Sequence, residues 1–277
     1  MKTKHGREIR MAVFDLDGTL LTTDKRISDA DRAAVRFLTD GGVKVVTASG
    51  RFPLTAAEMT AQLGLGLEDD LYIADGGGTI CRAGKALRKI NPMDREVYST
   101  TTAASKALGF APYAAAGDRV YFDSEGPLDE IYGTLNERSP GLVQKVDRLE
   151  ECEDVLKLIY RIWNEEDFAK LKALETPDIL VFRSSEYMAE ITNSRLGKWN
   201  ALESLMRSEA IDPENVLAVG DSGNDADMLR GAGIGAAMKN ALPEAAEAAD
   251  LIGEYTSDES GVAGIVYELF ENAPSRF

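Results

Sequence analysis

Ile9-Arg10-Met11-Ala12-Val13-Phe14-Asp15-Leu16-Asp17-Gly18-Thr19-Leu20 is an apolar run that ends in two aspartates. Ile9, Met11, Val13 and Phe14 predict a strand covered on both faces, with Asp15 and Asp17 emerging together at its carboxyl end. Two carboxylates one residue apart share a side of an extended segment. There they can hold a hard, oxygen-loving cation while one of them attacks or hands over a proton. Gly18 lets the backbone leave the strand sharply. The same letters also fit an ordinary turn, since Asp and Gly are common turn formers. They do not fit a calcium loop, because Leu20-Leu21 stands where further oxygen ligands and a distal Glu are required.

Outward from this run, strand and helix signals alternate. Ser28 to Leu38 has helical apolar spacing with Ser28 as N-cap, and Gly41-Gly42 ends it. Val43, Val45 and Val46 form a second buried strand running into Thr47-Ala48-Ser49-Gly50-Arg51. Strand, helix, strand in that order implies a parallel pair with a right-handed crossover. Leu71 to Ala74 is a third strand, closed by Asp75-Gly76-Gly77-Gly78.

The pattern then changes. Helical stretches (Asp94 to Leu108, Glu165 to Leu174) alternate with strand-like runs (Arg119 to Phe122, Val155 to Ile162, Ile179 to Phe182), predicting an inserted α+β module over 83–189. The α/β pattern returns with a helix from Lys198 to Ser208 and the buried strand Val216 to Val219, which runs into Gly220-Asp221-Ser222-Gly223-Asn224-Asp225. Asp225 to Leu229 opens a helix, Ile234 to Met238 is a short strand, and Gly261 to Phe270 is a closing amphipathic helix. The expected fold is therefore α/β, a Rossmann-like doubly wound parallel sheet built from 1–82 and 190–277. Such a sheet binds ligands outside the carboxyl ends of its strands, so Asp15, Ser49 and Asp221 should line one crevice.

Composition narrows the partners. The chain has 277 residues, 44% apolar and 28% charged, as in ordinary globular proteins of one or two domains. No apolar stretch reaches the ~18 residues of a membrane span, and the charged start lacks the apolar core of a secretory signal, so a cytoplasmic location is expected. Cys81 and Cys152 stand far apart, which indicates neither a disulfide framework nor a zinc site. With 47 acidic against 31 basic residues the formal charge is −16, which repels nucleic acid and anionic lipid. A small anionic substrate then requires local positive charge from a metal, Lys or Arg. The single histidine, His5, sits in a polar amino-terminal segment, and this argues against histidine-based catalysis.

Asp15, Asp17, Asp221 and Asp225 make an acidic cluster suited to Mg²⁺. Ser49 offers a hydroxyl, with the backbone of Gly50 beside it, and Arg51 and Lys198 are candidate cations for a phosphoryl group. Ser49-Gly50-Arg51 also fits a plain strand-to-helix turn, and Lys198 a solvated first-turn lysine.

Taken together, Asp15-Leu16-Asp17-Gly18-Thr19, Ser49 in Ala-Ser-Gly-Arg, Lys198 in Leu-Gly-Lys, and Gly220-Asp221-Ser222-Gly223-Asn224-Asp225 resemble the four signatures of the haloacid dehalogenase-like superfamily of Mg²⁺-dependent phosphatases. The length of the insert resembles the Cof-type subclass, whose large α+β cap follows the third strand. The resemblance extends to Ala237-Met238-Lys239-Asn240-Ala241 and Ser260-Gly261-Val262-Ala263. It implies Asp15 as nucleophile and Asp17 as acid and base, its pKa raised by nearby carboxylates. It also implies Mg²⁺ on Asp15, the backbone carbonyl of Asp17 and Asp221, with Asp225 supporting the metal. Ser49 and Lys198 would hold the phosphoryl oxygens, and Asn224 would position Lys198 or the substrate. The chain departs from the pattern at Asp75-Gly76-Gly77, where many relatives have Asn-Gly-Ala, so no substrate role is carried to Asp75. Trp199 replaces a small residue and is expected to serve helix packing.

The activity implied is hydrolysis of a small phosphomonoester, a sugar phosphate first, through an aspartyl-phosphate. A sugar phosphomutase on the same fold is the alternative, and an idle metabolite-binding protein is a third. Substrate identity and oligomeric state are not legible.

Overall fold

The computed structural model describes residues 1–65, 71–82, 85–124, 132–133, 136–137, 139–271 and 273. The chain forms two compact units, Met1–Arg88 with Gly197–Phe277, and Lys89–Leu196.

The first unit holds β1 (Met11–Asp15), β2 (Lys44–Ala48), β3 (Leu71–Ala74), β4 (Thr79–Arg82) and β5 (Lys85–Lys89). The second holds β6 (Tyr113–Ala115), β7 (Val120–Phe122), β8 (Val143–Lys145), β9 (Lys157–Arg161), β10 (Ile179–Ser185) and β11 (Met188–Asn193), before β12 (Val216–Gly220), β13 (Ile234–Ala237) and β14 (Leu251–Ile252) complete the first. The sheet order of the first unit is β14-β13-β12-β1-β2-β3-β4-β5. From β14 to β3 every pair is parallel, and β4 turns back antiparallel on β3. Strand order runs outward in opposite directions from the β12–β1 boundary. That boundary is the topological switch point, where an open α/β sheet leaves a crevice at its carboxyl edge.

The strand of Met11–Asp15 is buried throughout, as its unbroken apolar run requires. Ala12 and Phe14 pack with Ala34, Val35 and Leu38 of the helix Asp29–Asp40 and with Val262, Ile265 and Val266 of the helix Gly261–Leu269. Met11 and Val13 point to the opposite face and are equally inaccessible to water. Ser28 caps the first helix by accepting the backbone N–H of Asp31. Asp31 is itself wholly buried. One of its oxygens accepts the Ser28 hydroxyl at 2.8 Å and the other accepts the backbone N–H of Ala263 at 2.8 Å, which ties the two helices together.

Several elements escaped the sequence reading. The helix Pro53–Thr60 has Pro53 in its first turn but no capping side chain and almost no amphipathic contrast, so its periodicity is weak. β4 and β5 prolong the sheet past residue 82, so the first unit keeps the chain as far as Arg88. Met188–Asn193 likewise completes the second unit's sheet, carrying that unit to Leu196 instead of residue 189.

The second unit's sheet has the order β10-β11-β9-β6-β7-β8. Ala114, Leu158, Tyr160, Val181, Ala189 and Ile191 turn toward Tyr98 and Leu171 of the helices Arg95–Ala107 and Glu165–Lys172. By strand alternation Lys157, Ile159, Arg161 and Glu190 point to the other face. Among the described residues no helix is long and apolar enough to cross a membrane.

Candidate active site

Asp15 is the last residue of β1, Ser49 follows β2, and Asp221 follows β12, so all three stand at the carboxyl edge of the parallel sheet. Lys198, first residue of the helix Lys198–Glu209, extends into the same place and is only 2% exposed. An ammonium in a helix's first turn opposes the helix dipole. Its position is compensated by two carboxylates: it donates hydrogen bonds to Asp15 Oδ1 and, at 2.7 Å, to Asp225 Oδ1. Carboxylate oxygens of Asp15, Asp221 and Asp225 lie within 4.8 Å of one another.

Glycines make this approach possible. Gly18 has φ +82°, and a Cβ there would stand 2.3 Å from the carboxylate of Asp221. Gly77, with φ +106°, backs onto the start of the Lys198 helix, and a Cβ there would stand 2.1 Å from the carbonyl oxygen of Gly197. The loop after β12 is fastened by Asp225, whose Oδ2 accepts the backbone N–H groups of Asp221 and Ser222 at 3.1 Å each. Both oxygens of Asp225 are thus engaged, one by the loop and one by Lys198.

Burial raises the pKa of Asp15 well above the ordinary value, against the lowering by Lys198, and Asp225 and Asp221 push it further up. Burial and the charge of Asp225 push Asp221 up to about 6. Burial would lower Lys198, but Asp15 and Asp225 outweigh it and keep the ammonium protonated.

Asp17 differs from expectation. Its side chain lies outside the acid cluster, gripped by a fork from Arg51 (Nε to Oδ2 and Nη2 to Oδ1, both 2.6 Å) and by Lys25 Nζ at 2.8 Å. Burial raises its pKa, but these hydrogen bonds outweigh burial and hold it below the usual carboxylate value. The expected elevation by carboxylates is therefore reversed. As a metal ligand Asp17 has its backbone carbonyl to offer, its carboxylate being taken by the two cations.

Ser49 is buried, and its Oγ accepts the backbone N–H of Arg51 at 3.1 Å, which closes the turn. Gly50 stands beside it, exposed, with open space where a Cβ would be. Asn224 is exposed and its Oδ1 accepts the Ser222 hydroxyl at 2.9 Å. It is Asp225, not Asn224, that holds Lys198. Trp199 packs its ring on Gly231, where a Cβ would stand 2.6 Å away. Asp75, at φ +54°, accepts the Thr79 hydroxyl at 3.0 Å.

Three residues that shape the site were not picked from the sequence. Thr19 donates its hydroxyl to Asp221 at 3.2 Å, Lys25 holds Asp17, and Asn240 donates to the carbonyl of Gly18 at 2.8 Å. Thr19 lay inside a quoted motif and Asn240 inside a late one. Lys25 had no local signal, since a loop lysine is ordinarily solvated.

An acid cluster with a buried lysine thus stands at the switch point of a parallel α/β sheet, in a chain that carries a second, inserted α+β unit. The chain belongs to the haloacid dehalogenase-like hydrolase family, whose family model matches residues 12–266. It is 28% identical over 286 residues to the 5-amino-6-(5-phospho-D-ribitylamino)uracil phosphatase YwtE of Bacillus subtilis (strain 168), covering 94% of this chain and 98% of that protein. It is 29% identical over 265 residues to a chloroplastic protein of Arabidopsis thaliana named endoribonuclease YBEY, covering 91% of this chain but only 45% of that protein, so it spans less than half of that relative's length. Among solved structures, a haloacid dehalogenase-like hydrolase from Bacteroides thetaiotaomicron superposes with a TM-score of 0.75 at 26% identity, over 94% of this chain and 98% of that one.

Proposed function

We propose that this chain is a Mg²⁺-dependent phosphatase that releases phosphate from a small phosphomonoester, a sugar phosphate first, through an aspartyl-phosphate on Asp15. The observation that carries the reading is the buried Lys198 ammonium between Asp15 and Asp225, with Asp221 beside them. One buried lysine faces three carboxylates there, and burial, with the neighbouring carboxylates adding to it, raises the pKa of Asp15 and Asp221. A small divalent cation with oxygen ligands fits that excess of carboxylates. Asp15 and Asp221 would hold it with their carboxylates and Asp17 with its backbone carbonyl, while Asp225 supports Lys198 and the loop. Bound there, Mg²⁺ would neutralise charge on the phosphoryl oxygens and hold the group in line with Asp15.

The chain's own residues account for the remaining roles. Lys198 fixes Asp15 and offers its third N–H to a phosphoryl oxygen, and the Ser49 hydroxyl can donate to another. The Asp15 carboxylate attacks phosphorus as the ester P–O bond breaks, and Asp17 gives a proton to the departing oxygen. Asp17 then takes a proton from the water that attacks the aspartyl-phosphate, freeing phosphate and restoring Asp15. For the first of these proton transfers Asp17 must leave the Arg51 fork. A phosphoryl group arriving beside Arg51 competes for the same guanidinium and favours that release.

Relatives bearing phosphatase names over nearly their whole length support this reading. The ribonuclease name is not transferred, because less than half of that protein is matched and the charge of −16 disfavours a polyanionic substrate. The test is a panel of phosphomonoesters assayed for phosphate release with Mg²⁺ and with chelator. Asp15→Asn is expected to abolish Mg²⁺-dependent turnover, and a variant that keeps most of its phosphate release would remove Asp15 as the nucleophile.

A further inference from the structure

On the second unit, outside the site described above, Arg161 ends β9 with its guanidinium over two aromatic rings. Its guanidinium carbon lies 4.7 Å from the ring centroid of Trp163 and 4.7 Å from that of Tyr187. Trp163 is 69% exposed and Tyr187 50%, so neither ring is there to fill a core. Among the described residues no carboxylate or carbonyl accepts a hydrogen bond from Arg161, and its buried Nε has no partner. Neighbouring cations differ. Arg183 also stacks, on Phe168, but is neutralised by Glu165 at 2.6 Å, and Lys157 pairs with Glu190 at 3.2 Å. In a chain of charge −16, an arginine held by two rings and with no counter-ion among the described residues needs a reason.

A guanidinium packed on two rings keeps its in-plane N–H edge for hydrogen bonding. That edge matches two oxygens of one carboxylate or phosphate, and stacking has already removed much of the side chain's freedom, so less ordering remains to be done on binding. We infer that Arg161, packed on Trp163 and Tyr187, is an oxyanion-binding site that takes a carboxylate or phosphate group edge-on through its Nη atoms. The anion is either a second acidic group of the substrate or a free anion, and the chemistry of capture is the same. The site stands on the geometry of Arg161 and its rings and does not depend on the phosphatase reading.

Trp163 and Trp199 are the chain's tryptophans, so Trp199→Phe leaves Trp163 as sole reporter beside Arg161. Its emission is expected to change saturably with malonate and with inorganic phosphate at fixed ionic strength, but not with chloride. Arg161→Gln should abolish the response. Arg161→Lys, which keeps the charge without the fork, should weaken binding about tenfold. No saturation in the parent protein, or an equal response in Arg161→Gln with unaltered thermal unfolding, overturns the proposal. Kinetics identify the source: with 3-phosphoglycerate and glycerol 3-phosphate as paired substrates, a KM increase of about tenfold in Arg161→Gln for the first alone assigns the anion to the substrate. Unchanged KM for both, with the malonate response lost, assigns it to a free anion. If the protein hydrolyses neither ester, the Trp163 titration still decides.

Discussion

Asp17 shows how much one side chain's partners matter. A carboxylate near three others is expected to hold its proton, yet the Arg51 fork and Lys25 draw it the other way. If Asp17 serves as the acid, Arg51→Ala raises its pKa, and the basic limb of the kcat/KM profile moves to higher pH. A profile unmoved by the substitution would show that Asp17 has left the fork before the titrating step. Asp221 carries the opposite shift, up to about 6. A cation must displace its proton, so Mg²⁺ should raise the melting temperature well at neutral pH and progressively less as pH falls through about 6. Without metal the sign is also set. The folded state binds that proton more tightly than the unfolded chain, so Asp221's contribution to stability is present below the unfolded carboxylate pKa and is lost as pH rises toward about 6. Urea titrations across this range, with chelator, measure it.

Among the elements, the start of the Lys198 helix depends on a neighbour's missing side chain. Gly77→Ala meets both a left-handed backbone and the Gly197 carbonyl. Strain of this kind costs of order 1–3 kcal/mol, with overpacking in addition. The variant should lose about 3 kcal/mol in urea titration and lower kcat by displacing the lysine. Asp31 is the corresponding tie between the helices Asp29–Asp40 and Gly261–Leu269. Asp31→Ala leaves the Ala263 N–H buried without its acceptor and should cost about 3 kcal/mol, while Asp31→Asn, which keeps an acceptor, should cost less. Equal losses in the two variants would place the effect in packing instead of hydrogen bonding.

Over the whole molecule the dominant quantity is the charge of −16. Self-repulsion at that charge is relieved by salt, with a Debye length of about 10 Å at 0.1 M. Moving from low salt to about 0.15 M NaCl should raise the melting temperature by several degrees. Because Mg²⁺ also screens, the site-specific part is the shift that Asp221→Asn removes at equal ionic strength.

The sequence by itself determined the parallel core and the residues at its carboxyl edge. Unbroken apolar runs such as Met11–Phe14 can only be buried on both faces, and such strands must expose whatever follows them at a single edge. The meeting of Asp15, Ser49 and Asp221 was legible for that reason, whereas Lys198, which opens a helix, was carried by the resemblance of its motif. Only the tertiary structure decided how the charges are shared. Asp17 belongs to Arg51 and Lys25, Lys198 to Asp15 and Asp225, and Arg161 to two aromatic rings. Periodicity reports which face a residue takes, whereas ion pairing falls off within a few ångströms and depends on residues that only folding brings near.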